Sequence, residues 1–263
     1  MPEVSVIMPV YNEKENFLKE SIESILNQSF SDFEFLIVND GSDEKTSAIL
    51  ENYAKSDRRI TIINNDSNLG LTKSLNISLK KAQGKFIARM DSDDISLSDR
   101  LEKQLPFLQK NNLDLIGANC DIIDENGNIL KEKRISPPYN MKKNLLRGNF
   151  FTHATLFGQK KVFDELYDEN FKRAQDYEFL LRILGKGYSL GYMPDSILKY
   201  RLHQKAISSA SAKEQEWFAL KARVLAIKNY GYNFVYTSYI LRALLSFIIP
   251  YKLKCFIIYK LNR

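Results

Sequence analysis

The first 120 residues alternate short apolar runs with stretches of helical periodicity, and this alternation restricts the fold more than any other feature of the chain. "VSVIM" (4–8), "FEFLIV" (33–38), "ITII" (60–63) and "KFIARM" (85–90) read as strands. Between them lie a helix over 15–29, with Phe17, Leu18, Ile22, Ile25 and Leu26 on one face, and a polar helix over 44–55. A third helix is expected over 71–84, with Gly84 as its stop signal. Strands that alternate with helices build right-handed βαβ units, so the spacing predicts an α/β fold around a mostly parallel sheet.

The rhythm then loosens. A helix is expected over 98–112, capped by Ser98 or Asp99 and kinked at Pro106. Two strand-like runs flank the turn signal Glu125-Asn126-Gly127. A polar stretch at 136–140 leads to "FTHATLFGQKKVF" and a last clear helix over 174–187. The chain of 263 residues is long enough for one sizeable core. Residues 1–215 read as one α/β domain, with a first half over about 1–97 and a less regular second half over about 98–215; residues 216–263 form a separate tail.

The fourth strand runs straight into charge: "FIARMDSDDIS" places Asp91, Asp93 and Asp94 within four positions. Like charges this close are tolerated when water or a cation screens them. Ligands of open α/β sheets sit beyond the carboxyl ends of the strands. Three such ends carry polar groups here: Pro9, Tyr11, Asn12 and Glu13 after the first, Asn39 to Ser42 after the second, and Asp91 to Asp94 after the fourth. A parallel sheet brings all three to one edge. Asp40-Gly41-Ser42 alone suits an ordinary βα turn. The pair Asp91 and Asp93 suits Mg²⁺ or Mn²⁺ shared with phosphate oxygens better than it suits a helix cap. Neither G-x-G-x-x-G nor a P-loop signature is present, so a dinucleotide cofactor and a P-loop phosphate cradle are both disfavoured.

Net charge is +6, and its placement is uneven. From Trp217 onward there are eight basic residues and no acidic one, whereas the preceding 216 residues carry 30 basic and 32 acidic groups. The tail interleaves Tyr, Lys and Arg with Ile, Leu and Phe, in apolar stretches too short to span a bilayer. This composition suits a lipid headgroup region better than single-stranded nucleic acid. Packing against the domain or a second subunit is the other reading, and dimerisation is left open. The two cysteines, Cys120 and Cys255, lie far apart without ligand spacing, which fits a reducing compartment. The N-terminus lacks the pattern of a signal peptide.

Five segments in order, "VSVIMPVYNE", "FEFLIVNDGS", "NLGLTKSLN", "GKFIARMDSDD" and "RAQDYEFLLRI", make the chain resemble the inverting glycosyltransferases of family 2 over roughly residues 3–205. The resemblance implies the GT-A fold and a nucleotide-sugar donor, a UDP-sugar by preference. It also implies a divalent metal, Mn²⁺ or Mg²⁺, and a glycan or lipid-linked glycan acceptor. The implied setting is bacterial surface polysaccharide synthesis at the cytoplasmic face of the plasma membrane.

By the same resemblance, Pro9, Tyr11 and Glu13 match the loop beside the donor nucleotide, and Asp40 matches the aspartate that bonds uracil. Asp91, with Ser92, matches the residues at the ribose and sugar, and Asp93 those on the metal. His203 resembles a late histidine near the metal or pyrophosphate, and Asp176 matches the catalytic base. Family members often carry Glu before that base, where this chain has Gln175. Lys73 and Arg89 are placed to reach a diphosphate, although the ordinary position for either cation is the surface. His153 is a candidate for the acceptor pocket. Two other classes stay open: a sugar-phosphate nucleotidyltransferase, which usually has a Gly-rich basic loop where this chain has "PVYNEKEN", and a non-catalytic nucleotide- or glycan-binding module.

Overall fold

The computed structural model describes residues 1–136, 140–203, 212–240 and 244. Its elements in chain order are β1 (Val4–Val10), α1 (Glu15–Leu26), β2 (Phe33–Asn39), α2 (Glu44–Ser56), β3 (Ile60–Asn64), α3 (Leu71–Lys81) and β4 (Phe86–Arg89). Then follow β5 (Ile95–Ser96), α4 (Arg100–Lys110), β6 (Leu115–Ile123), β7 (Ile129–Lys133), α5 (Met141–Arg147), β8 (Phe157–Gln159) and α6 (Lys160–Phe163). The last are α7 (Gln175–Gly185), β9 (Leu190–Arg201) and α8 (Ala212–Asn229).

One sheet runs through the molecule in the order β3-β2-β1-β4-β8-β6-β9-β5, with β7 paired to β6. The first four strands are parallel, as the alternation predicts. Beyond β4 the sheet is mixed: β8 is antiparallel to both β4 and β6, while β6 and β9 run parallel. The strands read as continuous apolar runs because helices cover both faces. Val4, Val6, Met8 and Val10 of β1 turn to one buried cluster with Phe35 and Ile37 of β2. Ile7, Leu36 and Val38 turn to the other, with α3 and α7. This is the period-two geometry of a strand written onto two cores.

The hairpin forms where expected. Asp124 Oδ1 accepts the backbone N–H groups of Asn126 and Asn128, each at 2.9 Å, and Gly127 takes φ +86°. Helix α4 continues through Pro106 to Lys110, although proline contributes no N–H to it. Helix α1 stops at Leu26, short of the expected end. Gln28 then becomes a clasp, donating to the Leu97 carbonyl at 2.7 Å and accepting from the Leu101 N–H at 3.1 Å.

Gly84 does not terminate a helix. Helix α3 ends at Lys81, and Gly84 instead passes hard against β1, where a Cβ would lie 2.5 Å from the Ser5 nitrogen. Its N–H donates to Ser5 Oγ at 2.8 Å. We expect Gly84→Ala to destabilise the protein by about 1–3 kcal/mol through overpacking. Denaturant unfolding checks this, and an unchanged midpoint would mean that β1 yields.

Helix α8 packs on α7 and sends Leu220, Ala222 and Ala226 inward. No helix among the described residues is long and apolar enough to cross a membrane. Residues 241–243 and 245–263, which carry most of the basic-apolar tail and its expected lipid contact, lie outside the described residues.

Candidate active site

The acidic turn is fixed at both ends. Strand β4 delivers it from the parallel half, and the two residues of β5 pair with β9 on the far side (Ile95 with Lys199, Ser96 with Leu198). Three buried arginines hold it between these anchors. Arg89 is 1% exposed and pairs with the Asp91 carboxylate. Arg100 is fully buried, and its Nη2 donates to the Arg89 carbonyl at 2.9 Å. Arg201 donates Nε to the Asp93 carbonyl at 2.9 Å and Nη1 to the Glu125 carbonyl at 3.0 Å, and pairs with Glu20. The backbone N–H of Arg201 also donates to Asp94 Oδ1 at 2.9 Å. A guanidinium leaves water at high cost unless it is paired and its donors are used. Of the three, Arg89 pairs with a carboxylate of the turn, while Arg100 and Arg201 brace its backbone carbonyls. Arg89 is not the surface cation expected of an arginine.

The expected residues gather at this edge. Asp93 Oδ2 lies 2.8 Å from His203 Nε2, which raises the imidazole pKa, and the ring packs against Phe17 at 5.6 Å between centroids. Ser92 Oγ donates to Glu13 at 3.4 Å, and burial pushes the Glu13 carboxyl upward, helped by the Asp93 charge. Pro9 lies within β1 opposite Val38, while Tyr11 is exposed just beyond the strand. Lys73 is exposed in the first turn of α3.

Asp40, 3% exposed, organises the next loop. Its Oδ1 accepts from Asn65 Nδ2 at 2.7 Å and from the Leu69 N–H at 2.9 Å, and its Oδ2 accepts from the Gly70 N–H at 2.9 Å. A carboxylate has about four acceptor positions, so one remains on Oδ2.

Asp176 opens α7 after Ala174, whose φ of 52° is unusual for a residue with a side chain. It is half-buried. Burial raises its pKa, and the Tyr177 N–H, the Arg89 charge and a 2.7 Å bond from Asn149 Nδ2 only partly offset the rise. Burial also raises Asp91, which feels the negative charges of Asp93 and Asp176 and the opposing charge of Arg89. The base expected from the motif and the acidic turn thus share one electrostatic site, with Arg89 acting on both. His153 sits at the same place: its Nε2 lies 2.9 Å from the Tyr167 hydroxyl, and burial with the Arg89 charge keeps the ring neutral.

Besides Arg100, three contributors escaped the sequence reading. Asn149 follows α5 and reaches Asp176 across 27 positions. Lys133, on the hairpin strand β7, donates to Thr152 Oγ1 at 2.8 Å, and burial lowers its ammonium pKa while the Asp176 charge opposes the shift. Arg201 ends β9. No local pattern distinguishes these residues; a signal existed only for Arg89, a cation inside an apolar run two positions before an aspartate.

The turn suits a hard divalent cation. Asp91, Asp93 and Asp94 each offer an oxygen within 4.8 Å of the others. Asp94 is fully buried, and its Oδ2 has no hydrogen-bond partner among the described residues. Burial and the charges of Asp93 and Asp91 push its pKa far up. An all-oxygen set with an unsatisfied buried carboxylate oxygen matches the preference of Mg²⁺ or Mn²⁺.

Known proteins share this framework. An O-antigen biosynthesis glycosyltransferase of Escherichia coli, WbnJ, is 33% identical over 241 residues, which cover 90% of this chain and 94% of that protein. Staphylococcus aureus TarS, solved with UDP-GlcNAc, superposes with a TM-score of 0.75 at 20% identity, over 92% of this chain and 71% of that one. The mannosyltransferase PcManGT of Pyrobaculum calidifontis, solved with GDP-Man and Mn²⁺, gives 0.70 at 18% identity, over 94% and 70%. The fold is therefore that of the GT-A glycosyltransferases. With residues 5–167 matching the family model, the chain belongs to glycosyl transferase family 2.

Proposed function

We propose that the protein transfers a sugar, with inversion, from a UDP-sugar to a hydroxyl of a glycan or lipid-linked glycan during surface polysaccharide assembly. The O-antigen role of its E. coli relative and the UDP-GlcNAc bound by TarS support this reading. The observation that carries it is a half-buried carboxylate of raised pKa, Asp176, held beside an acidic turn at the carboxyl edge of the sheet.

Asp176 takes the proton of the acceptor hydroxyl. The hydroxyl oxygen forms a bond to the anomeric carbon as the bond from that carbon to the diphosphate breaks, and the electron pair leaves with the diphosphate. A base with a pKa brought toward the working pH is better matched to this proton transfer than an ordinary aspartate. Asn149 fixes the carboxylate through Oδ2. Asp40 keeps one acceptor position for a base N–H, and Glu13, Ser92 and Asp91 line the approach to the sugar. Lys73 stands on the rim for the diphosphate. Asp93 with Asp91 and Asp94 would hold Mn²⁺ or Mg²⁺, with His203 fixing Asp93. When bound, the ion supplies positive charge against the departing diphosphate. Residues 1–97 then form the donor half and 98–215 the acceptor half.

The test is a screen of UDP- and GDP-sugars for released nucleoside diphosphate, with membrane extract as acceptor source. UDP release is expected from at least one donor. It should fall at least about tenfold on chelation and return with Mn²⁺ or Mg²⁺. Release of pyrophosphate from a nucleoside triphosphate and sugar phosphate would instead mark a nucleotidyltransferase, and turnover indifferent to chelation would remove the metal.

A further inference from the structure

The surface formed by α5 and the turn after α8 carries features that the active site does not use. Phe234 and Val235 are 78% and 76% exposed, side by side in a single 3-10 turn. The turn is built to present them, because the Asn233 side chain caps it by accepting the Val235 N–H at 2.9 Å. Two adjacent, nearly bare apolar side chains on a capped turn are costly in water.

Cations lie over the two rings that flank the turn in sequence. Lys142 of α5 lies over the Tyr232 ring at 5.6 Å, and Arg147 lies over the Tyr239 ring at 5.5 Å. Arg223 of α8 ties the two segments together, donating Nε to the Leu146 carbonyl at 3.0 Å. Lys143 and Lys228 add charge, and neither α5 nor the chain from Trp217 onward holds an acidic residue. The same α5 leads into Asn149, which bonds Asp176.

We propose that this patch docks on an anionic lipid surface, with Phe234 and Val235 entering the headgroup layer and Lys142 and Arg147 meeting lipid phosphates. Bare apolar side chains on a basic segment, with cations over the flanking Tyr232 and Tyr239 rings, complement such a surface. An acidic protein partner would instead be met by ion-pairing groups and would not need the two bare side chains. Docking does not depend on the transferase reading.

The test is co-sedimentation of the full chain with phosphatidylcholine vesicles, with and without phosphatidylglycerol, read without turnover. Binding should require the anionic lipid and weaken with salt. Neutralising both Lys142→Gln and Arg147→Gln should weaken binding roughly 20- to 30-fold. Phe234→Ser with Val235→Ser should weaken it about tenfold or more, with the melting temperature unchanged. Equal binding to neutral vesicles, or binding that both variants retain in full, would overturn the proposal; the latter would place lipid contact elsewhere on the chain. Sedimentation that shows a dimer dissolved by the Phe234 and Val235 changes would assign the patch to a second copy and overturn it equally. Donor turnover in solution, measured separately, tells failure here from failure of the catalytic reading.

Discussion

Asp176→Asn is expected to lower transfer by about 10²–10⁴-fold, the span of a lost general base, while nucleotide affinity holds. The same change should stabilise the fold at neutral pH. The Asp176 pKa is raised in the folded state, chiefly by burial. The folded protein therefore binds this proton more tightly than the unfolded chain, and stability falls as pH rises from the ordinary carboxylate range through the raised value. Above that value the ionised group costs the fold stability, and asparagine removes the cost while still accepting the Asn149 bond. The wild-type rate should fall on the acid side at a pH above the usual aspartate range, because only the ionised form accepts a proton. Thermal melts at pH 7 and a rate profile from pH 4 to 8 check both statements. An asparagine variant that keeps wild-type turnover would make Asp176 a helix-capping carboxylate and nothing more.

Arg89→Met is expected to cost at most about 3–5 kcal/mol, the loss for breaking one side of a fully buried ion pair, because Asp91 keeps part of its carboxylate in water. Methionine roughly fills the stem volume but leaves Asp91 without its guanidinium and removes one of the positive charges acting on Asp94. Arg89 opposes the rise of the Asp91 pKa, so its loss sends that pKa higher and makes the ionised cluster costlier at neutral pH. The deficit should therefore shrink as pH falls and the carboxyls take up protons. Mn²⁺ should also stabilise the variant more than the wild type, because a bound ion replaces the missing charge and stabilises by mass action. Denaturant curves at pH 5 and 7.5, with and without Mn²⁺, separate these effects. A loss independent of both pH and metal would reduce Arg89 to packing.

The parts of this architecture legible in the sequence are those written locally. Strands β1 to β4 are short and flanked by polar turns, and β1, β2 and β4 are buried on both faces, so each announces itself as an apolar run. Asp91 and Asp93 stand out because charge follows a buried strand at once. Asp176 is different: alone it is an ordinary first-turn helix carboxylate, and only the order of five motifs distinguishes it. Gly84 shows why a correct signal misleads. A glycine says that a Cβ is unwelcome but does not say whose atoms forbid it, and here they belong to Ser5, 79 positions away. The arginine brace was hidden for the same reason. Arg201 meets Asp93 across 108 positions and Glu20 across 181, and no local rule distinguishes a guanidinium destined for the interior from one left in water. The mixed half of the sheet depends on β5 and β8, two and three residues long, below the length at which periodicity has meaning.

Calorimetric titration of UDP, with and without Mn²⁺, into the wild type, Asp93→Asn and Asp176→Asn tests most directly whether the acidic turn and the base serve one bound donor. UDP should bind the wild type and Asp176→Asn only when Mn²⁺ is present, and Asp93→Asn should bind poorly under either condition. UDP that binds all three proteins alike, whether or not the ion is there, would contradict the account.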